Sequence, residues 1–407
     1  MKLLLKTLPP LLSLLPTLAV GSPTLSYQVK VDESDPQQLI MSVDTSSLGE
    51  FSVMPSRTLK SHIQPQLVCV SGEHGRGALP YEKPVTCQRV EWKNYLFAVT
   101  DAGFDASKNR SAFDEKQGWY FLSEWNSLPR FKRGEDTEVD SQVCVPGGQC
   151  ESLPSAEQPP LFMLWGLDKT QIKLGDKQVD IYSDTPLVTE NMKRWRPTLE
   201  RQLRYINQVF PNHEQKQWRM GFLKRERYAG NIGGATGNTL ILVNAMIDDG
   251  KVTNDSLQMM LKIAAHESVH MLQTQKTPLW ANESLAEYYA IKSLNGSPFE
   301  MKSPLGQWHD FATKYPFVKT GLLAAHHKVT ENKQYQYYPL FYRKGAAFWF
   351  ELDTALHQSG KSLDTLLAAM RFDADGGFDK ATISLIEQQI GTKTWSDIEG
   401  RYLRYYL

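Results

Sequence analysis

The sequence predicts a multidomain protein: an all-β, sandwich-like domain first, an α+β domain second, and a helical domain at the C-terminus. Three observations carry this prediction. Up to about residue 155, strand-like alternation recurs between turn residues, with no helical periodicity of any length. Beyond a polar, proline-rich stretch at 151–160, apolar strands and amphipathic helices mix. After residue 300 the pattern is mostly helical. At 407 residues the chain is also too long for one simple core.

The chain opens on a targeting pattern. Lys2 and Lys6 supply positive charge, an apolar run follows over 11–20, and Ala19-Val20-Gly21 places small residues at a cleavage site. Residues 1–21 are therefore expected to be a signal peptide, and the protein to be exported, periplasmic or secreted. The run is short and broken by Pro16, and no other stretch approaches the ~20 apolar residues of a membrane span, so no stable membrane insertion is expected after cleavage. The formal net charge is zero, which removes the electrostatic ground for nucleic acid as a partner.

The β domain is expected over 22–155. Residues 26–31 and 88–92 alternate, and 119–125 form another strand candidate rich in aromatic core residues. Four cysteines (Cys69, Cys87, Cys144 and Cys150) suit an oxidising compartment, and local pairing of Cys69 with Cys87 and of Cys144 with Cys150 is the simplest of three connectivities. A zinc site among them is the weaker reading: there is no C-x-x-C pair, and His74 is the one histidine close by.

The α+β domain is expected over 161–300. Strands are predicted at 162–165 and 179–182, then an amphipathic helix over 187–209 that Pro197 should kink or split. A strand at 218–223, a glycine-rich turn at 230–237 and an apolar strand at 238–244 follow. Residues 256–273 read as a helix with Asn254 or Asp255 as its N-cap. A second helix spans 282–294 and stops at Asn295-Gly296-Ser297-Pro298. In the C-terminal domain, 301–407, helices are predicted at 344–356, 362–370, 381–389 and 395–405.

The two helices before residue 300 carry the chemistry. Residues 266–270 read H-E-x-x-H. Two histidines four apart lie on one face of a helix, about 6 Å apart along its axis, so both His266 and His270 can reach one metal. That pattern points to one zinc ion, with Glu267 placed to act as general base without ligating. The bland alternative is a pair of solvent-facing histidines. Hydrolytic zinc needs a third protein ligand, and Glu283 and Glu287, four apart on the next helix, are the candidates. Glu283 is assigned as ligand and Glu287 as the acceptor that orients a ligand histidine. Twelve residues separate His270 from Glu283; if so tight a loop forbids Glu283, Glu287 takes its place.

The run Trp280-Ala281-Asn282-Glu283-Ser284-Leu285-Ala286-Glu287-Tyr288 after H-E-x-x-H resembles the gluzincins, the clan of thermolysin and the alanyl-type aminopeptidases. The order of the domains is most similar to the glycyl aminopeptidase family. The resemblance implies a thermolysin-like zinc domain, Glu283 as third ligand and Glu287 as support for the first histidine. Ser284 departs from the glycine usual in the aminopeptidase branch, and the gap before Glu283 is shorter than in either relative. Residues 341–346 resemble the Y-E-K-G-A segment of those aminopeptidases, which implies that Tyr342 stabilises the oxyanion; packing within the Tyr335, Tyr337 and Tyr338 cluster is the alternative role, and His326 and His327 are a backup donor. Gly233, Gly234 and Ala235 match the edge strand on which extended substrates pair. The acid of the related Gly-Gly-x-Glu pattern, which captures a substrate amine, is absent here.

The function expected is that of an exported zinc metallopeptidase acting on peptides or proteins. An aminopeptidase of the same clan and a non-catalytic binding protein that keeps the fold are the alternatives.

Overall fold

The computed structural model describes residues 24–58, 64–72, 75–134 and 137–404. The expected signal peptide at 1–21 and His74 lie outside the described residues.

The first half is built from strands. Leu25–Asp32 and Asp35–Asp44 form a hairpin at the centre of a seven-stranded sheet, flanked on one side by Arg89–Tyr95 and on the other by Ser141–Cys144. Two four-stranded sheets contribute, with the seven-stranded one, to a single hydrophobic core around Tyr27, Trp92, Phe51 and Phe131. Alternate residues of Leu25–Asp32 are buried, which is why the period of two was visible in the sequence. Both expected disulfides are present, Cys69–Cys87 and Cys144–Cys150.

The proline-rich stretch does not separate the strands on either side of it. Phe162–Trp165 pairs antiparallel with Trp119–Ser123, and so joins a sheet of the N-terminal half. The stretch is tied down from outside: the buried Glu124 accepts from the Leu161 amide and pairs with Arg57 and Arg130, whose guanidinium groups also reach the carbonyls of Ser155, Gln158 and Pro154. These charges are satisfied by partners distant in sequence, a pairing that local pattern does not reveal.

The site rests on a five-stranded mixed sheet. Its order is Lys169–Leu174, Lys177–Ser183, Gln217–Glu226, Leu240–Ile247 and, at the edge, Gly234–Thr236. The long helix expected over 187–209 is split, but at Asn191: Pro186–Glu190 and Met192–Val209 are separate, and Pro197 lies within the second. Asn191 makes the break by turning its side-chain amide onto the Leu187 carbonyl (2.8 Å). Pro197 sits early in its helix and removes one backbone hydrogen bond without ending it.

Asn254–Leu272 and Leu279–Ser293 pack against this sheet and each other. The first is capped by Thr253, whose hydroxyl accepts from the Ser256 amide at 3.1 Å, rather than by Asn254 or Asp255. The C-terminal helices include Pro304–Ala312 and Leu322–Thr330, which the sequence pattern missed, as well as Ala346–Gln358, Lys380–Ile390 and Thr392–Tyr402. Among the described residues they form no core of their own. One cluster of buried residues runs from Ile172 through the two site helices to Leu403, with Trp280, Trp349 and Trp395 inside it.

Candidate metal centre

His266 and His270 project from one face of Asn254–Leu272, and Glu283 from the facing helix Leu279–Ser293. Their ligand atoms form a compact triangle. His266 Nε2 lies 3.1 Å from His270 Nε2, and Glu283 Oε2 lies 3.5 Å and 3.6 Å from the two nitrogens. Ligands held about 2.0–2.1 Å from a tetrahedral zinc stand about 3.3–3.4 Å from one another, so these separations fit that ion.

The other face of each ring is also held. His266 Nδ1 is 3.4 Å from Glu287 Oε2, and His270 Nδ1 is 3.3 Å from Asn282 Oδ1. Acceptors at both Nδ1 positions favour the tautomer protonated there. Both Nε2 atoms and a carboxylate converge on one point, a donor set that suits a cation. The tight loop, residues 273–278, does not keep Glu283 away. Glu287 touches His266 on the far side of the ring and cannot reach the point the two Nε2 atoms share.

The electrostatics agree. Burial opposes charge on His266, yet the carboxylates of Glu283 and Glu287 outweigh it and raise the ring to about 9. The pocket thus stabilises positive charge, whether a proton or a metal that displaces it. Glu287 is fully buried; burial would raise it, but Lys262 at 2.6 Å, His266 and Arg343 at 3.3 Å hold it down at about 2. Glu283 is also held well below its usual range: burial opposes this, and the two histidines outweigh it.

Glu267 reaches the same site from the next position on the helix. Its Oε2 accepts from the Thr236 hydroxyl at 2.7 Å. Gly234 explains how the edge strand comes so close. A Cβ there would stand 2.7 Å from Glu267 Cγ and 2.7 Å from Ile263 Cγ2. Ala235 faces the other way and is buried. In the antiparallel register Ala235 opposes Leu242, with Asn244 N donating to Gly233 O and Gly237 N to Leu240 O. That alternation turns the amides and carbonyls of Gly234 and Thr236 to the free edge, where an extended chain can pair. Asn244, fully buried, ties this strand to the N-terminal half: its side chain donates to the Phe104 carbonyl at 2.8 Å and accepts from the Gly233 and Ala106 amides at 3.3 Å each.

Tyr342 lies in a π-helical turn, Phe341–Gly345, with its ring centre 5.7 Å from that of His266. Burial, then Glu283, push its phenol far up, so it stays a proton donor. Its neighbour Tyr338 is also at the site and donates to Glu283 Oε1 at 2.8 Å. Ser284 has a packing role beneath them. A Cβ at Gly345 would come within 2.4 Å of Ser284 Cβ, and Trp349 Nε1 donates to Ser284 Oγ at 2.7 Å. His327 pairs with Glu331 on the surface, and His326 packs beside Gly376, so neither of the backup donors faces the triangle.

The sequence alone assigned no role at the site to Thr236, Tyr338, Lys262, Arg343 or Asn244. Each comes to the site through tertiary packing, and the one local signal was the adjacency of Tyr338 to the Tyr342 segment.

No protein-family model matches the chain, and no curated protein matches it. Among solved structures it is similar to an aminopeptidase N family protein from Idiomarina loihiensis, with a TM-score of 0.65 and 12% identity over 94% of this chain and 76% of that one. An M1 zinc metallopeptidase mutant from Deinococcus radiodurans also aligns, at a TM-score of 0.46 and 12% identity, over 94% of this chain and 93% of that one. The first likeness shows a shared fold.

Proposed function

We propose that this protein is a zinc-dependent peptidase that hydrolyses peptide bonds, with His266, His270 and Glu283 holding one ion. The observation that carries the reading is the triangle of three converging ligand atoms, with an acceptor beside each Nδ1. Zinc bound there would polarise a carbonyl and make a water acidic enough to attack near neutral pH.

The chain's own groups do the rest. Glu267 takes the proton of the attacking water on its carboxylate and passes it to the leaving amine. Tyr342 donates from its phenol to the oxygen that becomes negative, an interaction of the kind that contributes a few kcal/mol. The free edge of Gly234 and Thr236 aligns an extended substrate by main-chain pairing. Glu287, backed by Lys262 and Arg343, keeps His266 oriented. The chain divides by role into a β domain, a zinc domain and C-terminal helices packed on the zinc domain's core, which carry Tyr342 to the site. Export through the 1–21 segment belongs to the same proposal; two disulfides support it.

The test is metal analysis of purified protein together with Glu267→Gln assayed on a peptide library. Stoichiometric zinc with hydrolysis abolished by the substitution is expected. Full hydrolysis by zinc-loaded Glu267→Gln would overturn the mechanism, and zinc near zero in the native protein would favour a binding role. The fold shared with an aminopeptidase N family protein favours a second reading, an aminopeptidase. It predicts that N-terminal acetylation of the peptide abolishes turnover; equal turnover of blocked and free peptides would indicate an endopeptidase.

A further inference from the structure

The edge strand packs directly on Glu267. Gly234 and Thr236 share a face, as residues two apart on a strand must, and that face is pressed on the helix Asn254–Leu272. Gly234 has no side chain to hold the strand off; a Cβ there would meet Glu267 Cγ and Ile263 Cγ2 at 2.7 Å and the Leu242 carbonyl at 2.8 Å. Two residues on, the Thr236 hydroxyl is 2.7 Å from Glu267 Oε2 and 3.0 Å from the Glu267 carbonyl. Among the described residues, no other hydrogen bond to the Glu267 carboxylate is present. A carboxylate side chain with a single tether has free rotation about its terminal bonds unless that tether holds.

We propose that Thr236 is a positioning residue for Glu267, fixing the carboxylate through Oε2 so that Oε1 is the oxygen presented to the attacking water. The proposal rests on the peptidase reading above. Its physical content is a coupling. The strand whose free edge would align the substrate also sets the orientation of the general base, through one side chain. Substrate alignment and base alignment then refer to the same short segment, Gly234–Thr236, and are preserved or lost together. A one-donor hydroxyl suits this task. It donates one hydrogen bond to one carboxylate oxygen and leaves the other oxygen free.

The experiment compares Thr236→Val, Thr236→Ala and Thr236→Ser with the wild type in the zinc-loaded full chain. Four quantities are read: kcat, KM, zinc content and Tm. Valine keeps the shape of threonine and removes the hydroxyl; alanine serves if valine perturbs folding. The expected result is a fall in kcat of ~10-fold or more for Val and Ala, with KM changed by less than ~2-fold and zinc content unchanged. Serine, which restores a hydroxyl, should return kcat to within ~3-fold of wild type. Wild-type kcat in Thr236→Val, failure of serine to rescue, or loss of zinc in step with kcat would each overturn the proposal. If the wild type hydrolyses no peptide, it is the peptidase reading that fails. The positioning claim is then decided by crystal structures of zinc-loaded wild type and Thr236→Val. Displacement of the Glu267 carboxylate in the variant supports the claim, and an unmoved carboxylate overturns it.

Discussion

Glu283 and Glu287 sit one turn apart, and exchanging each for glutamine should produce opposite losses. Glu283 Oε2 stands 3.5 and 3.6 Å from the two Nε2 atoms, so Glu283→Gln replaces an anionic ligand with a weak neutral one. If the ion's binding free energy of ~10–16 kcal/mol is shared roughly evenly by its ligands, about 3–5 kcal/mol of affinity goes, a factor of roughly 10² to 10⁴. The fold loses little, because a glutamine oxygen still accepts from Tyr338. Glu287→Gln has the reverse profile. It orients His266 from behind, so zinc affinity should fall only ~10–100-fold. But Glu287 is wholly buried, with the largely buried Lys262 at 2.6 Å and the more exposed Arg343 at 3.3 Å, and removing its charge strands the Lys262 cation. Breaking a buried pair in this way costs roughly 3–5 kcal/mol of stability. The assays are competitive chelator titration for zinc and urea unfolding in EDTA for stability. Loss of zinc by Glu287→Gln as severe as by Glu283→Gln, with unfolding midpoints unchanged, would refute the assignment and exchange the two roles.

Three further outcomes follow from the packing. Gly234→Ala forces a methyl to 2.7 Å from Glu267 Cγ, so the edge strand must move by roughly 1 Å; unfolding should be easier by ~1–3 kcal/mol and kcat should fall by up to ~100-fold, measured together on one preparation. Asp184 is almost fully buried, accepting from the Lys224 amide at 2.7 Å, and burial raises its carboxyl from 3.8 to about 7. The folded state then holds a proton that the unfolded chain releases, so the contribution of Asp184 to stability is greatest below about pH 4, falls as pH rises, and levels off above about pH 7. Asp184→Asn should flatten that slope and stabilise the protein at pH 8 by up to ~4 kcal/mol, read from urea midpoints across pH. Cys69→Ser with Cys87→Ser opens a loop of 18 residues and should cost about 3 kcal/mol; an unchanged Tm would show that the unfolded chain is not constrained by that link.

What the sequence by itself determined is local. Spacing by four on a helix puts His266 over His270 and Glu283 over Glu287, and alternation marks strands such as Leu25–Asp32, because helical and extended backbones impose those periods on any chain. The cysteine pairs were legible for the same reason, being close along the chain. Tertiary structure decided the rest. The choice between Glu283 and Glu287 depends on how two helices face each other, and a loop length does not specify that angle. Thr236 and Asn244 meet Glu267, Phe104 and Ala106 across separations of 31 to 140 residues, so no local pattern carries them. The expected C-terminal domain merged into the core of the site helices because its apolar faces, Trp349 and Phe348 among them, find their partners on Leu279–Ser293. Hydrophobic periodicity reports which face is buried, and only the packed chain reports against what.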